Sequence, residues 1–145
     1  MFTLAHYSGY LVCVSSLLGG QPDSFYDWKT GFQAGFELAQ ISGDYGINHW
    51  ELGIGMIPWL RRCHQEGLLR DLDGEPFDLD SPFFWDSLLH KIAYREGIGD
   101  ALAEGTVRAA RILGIGKELI PDLFAAWGFA GHWDGRGDRA NLIVF

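Results

Sequence analysis

Leu88–Ala110 reads LLHKIAYREGIGDALAEGTVRAA, and its spacing decides the fold class. Leu88, Leu89 and Ile92 prolong an apolar stripe that opens with Phe84 and Trp85, the i, i+3, i+4 pattern of a helix with one buried face. Ser81 followed by Pro82 marks the start of that helix: the serine caps it, and proline fits its first position because no N–H is needed there. Gly97 and Gly99 bracket its stop. The spacing predicts that the next helix begins at Gly99 or Asp100, buries Leu102, Thr106, Ala109, Ala110 and Leu113, and ends at Gly114 and Gly116. The stretch is thus two amphipathic half-helices around a Gly-Ile-Gly corner, with acids just after it.

Working outward, Asp23–Ser42 predicts a first helix, capped by Asp23 or Ser24, with Trp28, Phe32, Phe36 and Ala39 or Gln40 along one stripe. Gly31 and Gly35 lie one turn apart on that face. Each costs a helix about 1 kcal/mol relative to Ala, so the close approach of another helix is expected there. His49–Glu66 predicts a second helix ending at Gly67, with a weak or kinked centre from Gly53, Gly55 and Pro58. Arg70–Asp80 is polar and turn-rich, with Asp73-Gly74 and Glu75-Pro76 marking a loop. A short helix is expected from about Glu118 to Trp127, before a glycine-rich loop over Gly128–Arg139. The expected architecture is mainly α, about five helices joined by glycine-rich connections in a single domain over residues 1–145.

Composition narrows the function. At 145 residues with a net charge of −8, the chain lacks the Lys and Arg excess by which proteins displace counterions from a phosphate backbone, so nucleic acid is not an expected partner. The first 28 residues contain no Lys or Arg, and Ser15 and Ser16 interrupt the apolar run Leu11–Leu18. Neither a secretory leader nor a membrane span is expected, and the cytoplasm is the expected compartment. Six Trp and ten Phe predict a dense core or surfaces that meet other protein parts. The final Asn141-Leu-Ile-Val-Phe145 is β-prone and apolar, where a polar tail is the usual ending. The expectation is an internal fragment of a larger protein.

Two segments concentrate chemistry. Gly131–Arg139 (GHWDGRGDR) places His132, Asp134, Arg136, Asp138 and Arg139 on a backbone that glycines leave approachable. An arginine fork suits phosphate or carboxylate, an aspartate accepts from a ring N–H, and His132 titrates near neutral pH; a self-satisfied surface turn is the plainer alternative. Asp44-Tyr45-Gly46-Ile47-Asn48 follows the first helix, and Gly46 suits the left-handed residue that ends it. Cys13 and Cys63 are too far apart for a CxxC site and too few for an iron–sulfur cluster. Buried, inert thiols are expected, although a thiolate at Cys13 would be a soft metal ligand. Cys63 and His64 are adjacent on a helix and point about 100° apart, so both read as structural. His49 and His90 read as packed or solvated. The two Gly-Ile-Gly corners do not complete a phosphate-binding GxGxxG and read as helix punctuation.

The stretch IAYREGIGDALAEGTVRAA resembles the "IAYREGxGDxLAEGxxRAA" passage of the tungsten-containing aldehyde ferredoxin oxidoreductases, and the resemblance covers roughly residues 25–139. It implies the helical part of such an enzyme, downstream of the pterin-binding β domain. The activity implied is oxidation of an aldehyde to a carboxylic acid, or reduction of an aromatic acyl thioester, at a tungsten (or molybdenum) bis-pterin centre. A [4Fe–4S] cluster and a ferredoxin-type carrier would pass the electrons. Asp134 and Arg136 match the family's "PxYDPRG"; His132, Trp133, Asp134 and Gly135 match the "GHWDGxGD" of relatives near the tungsten subunit of class II benzoyl-CoA reductases. These matches imply that His132 is a proton donor and that Asp134 and Arg136 contact the cofactor. Asp44, Gly46, Ile47 and Asn48 fall at the family's pterin-contacting "DxxGLD" motif, with the first Asp one place late and the last replaced by Asn. Some members ligate the metal through a cysteine, which here would be Cys13. The family's clustered cluster-binding cysteines and its β domain are missing, so the isolated chain is expected to bind no cofactor, to be inactive, and to depend on the remaining segments or subunits. The competing expectation is a non-catalytic helical interaction module that keeps the family scaffold.

Overall fold

The computed structural model describes residues 2–4, 7–9, 18–20, 26–125 and 128. Among these the protein is mainly α, with six α-helices and two small antiparallel hairpins. The first hairpin pairs β1 (Phe2–Leu4) with β2 (Tyr7–Gly9), Thr3 opposite Ser8. Then come α1 (Gly31–Asp44), a π-helical stretch (Glu51–Met56) running directly into α2 (Ile57–Gln65), and the hairpin of β3 (Asp71–Leu72) with β4 (Glu75–Pro76). The chain continues through α3 (Pro82–Tyr94), α4 (Ile98–Leu102), α5 (Thr106–Leu113), a 3-10 turn (Lys117–Leu119) and α6 (Ile120–Leu123).

Helix α3 is the axis of the molecule and follows its sequence closely. Ser81 is extended, and its Oγ accepts from the Phe84 N–H at 3.4 Å, with Pro82 in the first turn. Phe84, Trp85, Leu88, Leu89 and Ile92 form its buried face, against α1 on one side and α4 on the other. Each described indole N–H in the core has an acceptor, as burial requires: Trp28 bonds Leu18 O at 3.4 Å, Trp59 bonds Gly116 O at 3.0 Å and Trp85 bonds Leu79 O at 2.8 Å. The expected weak centre between His49 and Glu66 is the π stretch, which widens the helix just before Pro58 enters α2 and leaves a carbonyl without its usual N–H.

Several expectations are corrected. Residues 26–30 are not helical, so α1 begins at Gly31 and not near Asp23, whose own position, like that of Ser24, lies outside the described residues. Trp28 is buried because its indole packs on Trp85 with ring centroids 5.2 Å apart, not because it lies on a helical stripe, and Phe32 is consequently exposed. Gly35 does mark a close approach, but of the segment Leu18–Gly19: a Cβ there would lie 2.3 Å from Gly19 Cα. Gly31, by contrast, has open space and a φ of +82°, so its role is to turn the chain into the helix. The helix expected from Gly99 or Asp100 through Leu113 is divided at Ala103–Gly105 by a left-handed Gly105, although Leu102, Thr106, Ala109 and Ala110 are all buried as expected. Finally, Arg70–Asp80 contains a tight hairpin whose Asp73 and Gly74 both have positive φ, the turn that Asp-Gly favours. The helix expected to Trp127 ends at Leu123, and residues 129–139 of the glycine-rich loop lie outside the described residues. No helix among the described residues is long and apolar enough to cross a membrane.

Candidate functional site

The end of α1 is shaped by two hydrogen bonds that a left-handed glycine permits. Gly46, at φ +69°, donates to Gly43 O at 3.0 Å, and Ile47 donates to Ser42 O at 3.0 Å. This is the paired closure of a Schellman motif. Asn48 Oδ1 then accepts from the backbone N–H groups of Trp50 (3.0 Å) and Glu51 (3.3 Å), capping the following helical run. An aspartate at this position would cap equally well. Beneath it, buried Ser42 Oγ donates to Ala39 O at 3.0 Å and lies 2.6 Å from His49 Nε2. With the hydroxyl proton committed to Ala39, the contact places the imidazole proton on Nε2; burial lowers the pKa of His49.

From this turn the chain enters the π stretch, and Glu51 reaches across to α5. Its Oε1 accepts from both the Thr106 N–H (2.7 Å) and the Thr106 hydroxyl (2.6 Å). Gly105 precedes α5 without a side chain to cap it, so Glu51, 55 residues earlier, supplies the cap and a negative charge at the helix N-terminus. The wall beyond is an arginine–acid lattice. Arg95, held left-handed at φ +58°, spans Asp100 (2.9 Å) and Glu104 (2.7 Å), and Glu104 also meets Arg108 at 3.4 Å. These hydrogen bonds hold the Glu104 carboxyl below its ordinary pKa and raise that of Arg95.

Between these walls lies an open cleft of about 1070 Å³. Gly46, Ile47 and Asn48 line it, together with Glu51, Thr106, the arginines of α5, Phe124, Ala125 and Gly128. Asp44 is exposed at the end of α1 and is not among the lining residues. His132, Asp134, Arg136 and Cys13 lie outside the described residues. Sequence reasoning missed Glu51 and the arginine edge: a carboxylate that caps a helix 55 positions away leaves no local signature.

The other candidates have structural surroundings. Cys63 is buried, and burial, reinforced by the charges of Glu118 and Glu66, pushes its thiol up to about 11. His64 stacks on Phe77 and contacts Leu69 O at 3.1 Å. His90 packs on Tyr94 and lies 3.8 Å from Glu96. Asp100, beside the first Gly-Ile-Gly corner, is paired with Arg95.

The donor chemistry separates the two groups that the resemblance implies. Among the described residues no three His, Cys, Asp or Glu side chains converge to hold a metal ion, and Cys63 is the one described cysteine. A [4Fe–4S] cluster, which needs four thiolates, does not fit these residues. A flat, polar organic cofactor does: the cleft has the volume, Gly46 leaves its backbone open because a Cβ there would meet nothing within 4 Å, and arginine donors edge one side.

The described residues thus form a mainly helical body around a cleft edged by a helix-end turn and an arginine wall. Residues 29–126 match the family described as "Aldehyde ferredoxin oxidoreductase, domains 2 & 3", and the chain belongs to that family. It is 30% identical over 131 residues to the tungsten-containing aldehyde ferredoxin oxidoreductases of Pyrococcus horikoshii and Pyrococcus abyssi, with 77% of this chain and 21% of each relative covered. The chain thus spans about a fifth of the length of those curated relatives. No solved structure gives a significant match.

Proposed function

We propose that this chain forms one wall of the cofactor and substrate pocket of a tungsten-pterin oxidoreductase whose remaining segments are supplied elsewhere. The observation that carries the reading is the meeting of two segments far apart in sequence. Gly46–Asn48 lines the cleft, and so do Ala125 and Gly128, four residues before His132.

When bound, a tungsten bis-pterin centre supplies the two-electron chemistry that converts an aldehyde and water to a carboxylate and protons, or in the related reaction reduces an aromatic acyl thioester. This chain's residues position and exclude. Gly46 and Ile47 present backbone at close range, and Asn48 holds the turn, while Asp44 stands outside the cleft. Asp134 and Arg136 provide a hydrogen-bonding acid and a fork, and His132 moves a proton at the substrate oxygen. Cys13 is the one candidate thiolate toward the metal. The cluster and the ferredoxin-type carrier belong with the other segments, because the described residues do not fit a cluster. Alone, the chain is inactive.

The test is expression of the full chain with and without a family fragment carrying the β domain and clustered cysteines, followed by metal analysis of the purified material. Tungsten and iron retained only by the pair, with tungsten reduced by H132A or C13S, supports the reading. A pair that copurifies without tungsten overturns it and leaves a helical interaction module.

A further inference from the structure

We infer that the α5 edge of the cleft is an oxyanion-binding site in which Arg108 and Arg111 together hold a phosphate or carboxylate group. The chain carries a net charge of −8, yet the cleft lining holds three arginines, Arg95, Arg108 and Arg111, against two glutamates, Glu51 and Glu104. Both glutamates are engaged. Glu51 Oε1 takes two hydrogen bonds from Thr106, and Glu104 is shared between Arg95 and Arg108.

The cations differ in what remains to them. Arg95 is committed at both ends to acids. Arg108 is largely exposed and meets Glu104 through a single nitrogen at 3.4 Å, so most of its five N–H donors are left over. Arg111 is exposed and has no acidic partner among the described residues. The two stand at i and i+3 on α5, neighbours on one face, where like charges repel unless an anion lies between them. A cation in the last turn of α5 suits the helix dipole, but a single arginine satisfies that, and the pair facing a cleft is not explained by it. Guanidinium forks match the planar spacing of phosphate and carboxylate oxygens. The surrounding negative charge opposes anion approach, so binding is weak, and because it rests on the exposed arginine–anion attraction, which salt screens, it falls with added salt.

The experiment is titration of the full chain with inorganic phosphate and, separately, propanoate, following the arginine Nε–H resonances by NMR. Saturable shifts at Arg108 and Arg111 are expected. R111Q should weaken binding about tenfold or more, the loss of a charge-assisted hydrogen bond, while R70Q, at an exposed arginine outside the cleft, leaves it unchanged. R111K should restore part of it. Phosphate alone binding assigns the site to a phosphate-bearing cofactor or carrier, and propanoate binding assigns it to a carboxylate product; either supports the site. Shifts that never saturate, or equal losses in R111Q and R70Q, overturn it. The outcome does not depend on tungsten, so this inference and the proposed function fail separately.

Discussion

Replacing Glu51 by Ala should destabilise the chain by about 2–3 kcal/mol. Thr106 is fully buried, and both its N–H and its hydroxyl end on one carboxylate oxygen, at 2.7 and 2.6 Å. A hydrogen bond to a charged acceptor contributes roughly 1.5–3 kcal/mol. The two share an oxygen and the cleft is open, so water can reach the vacated donors and the loss falls short of twice that figure. For a domain of this size about 2–4 °C of Tm is lost per kcal/mol, which gives a drop of roughly 5–10 °C. E51Q keeps an acceptor in place and should lose about 1 kcal/mol or less. T106V removes only the hydroxyl and should cost about 1 kcal/mol, and in its background E51A should cost correspondingly less, a coupling of about 1 kcal/mol. The assay is urea unfolding followed by circular dichroism at neutral pH. If E51A and E51Q prove equal, both within about 0.5 kcal/mol of the parent chain, the carboxylate does not join the two walls and the cap assignment is wrong.

Four further predictions rest on other parts of the fold. Gly99→Ala places a Cβ 2.1 Å from the Lys91 carbonyl oxygen, a backbone neighbour that cannot rotate away; it should cost about 2–3 kcal/mol in urea unfolding. Gly43→Ala meets nothing within 4 Å at a helical position and should stabilise by about 0.5–1 kcal/mol. Cys63, with its thiol pushed up to about 11, should resist iodoacetamide at pH 8 in the native chain and react on unfolding, as read by peptide mass mapping. Because its folded pKa lies above the unfolded value, its contribution to stability is present below about pH 9 and is lost as pH rises toward 11, a slope that C63A should remove. His49 has the opposite sign. Its lowered pKa favours the neutral ring in the folded chain, so stability should fall as pH drops below about 6.5, and H49Q should flatten that limb of the pH–Tm curve.

These residues also mark how far sequence reasoning reaches. The start of α3 was legible because its determinants are local: Ser81 caps and Pro82 enters within one turn, and the apolar stripe needs only helical periodicity. The end of α1 was legible for the same reason, since Gly46 takes a conformation that other residues resist. The start of α1 was not. The spacing of Trp28, Phe32 and Phe36 mimics one helical face, yet Trp28 is buried by Trp85, 57 positions later, and by a hydrogen bond to Leu18 O. Periodicity cannot separate a residue buried by its own helix from one buried by a distant ring.

The division between α4 and α5 shows the same limit and links it to the site. Ala101-Leu102-Ala103-Glu104 followed by Thr106-Val107-Arg108 has helical propensity throughout, with one glycine as the local hint of a break. What fixes the break is tertiary. With Gly105 at φ +85° the chain restarts at Thr106 with its N–H unpaired by its own helix, and Glu51 arrives from the π stretch to accept it. The same break sets α5 at the cleft with Arg108 and Arg111 on its edge, while Glu104, just before it, ties Arg95 to Arg108. The quoted stretch therefore does two jobs: its apolar positions build the core, and its interruption builds the wall of the cleft. Only the first is written in a period, and the second depends on a carboxylate placed by another helix.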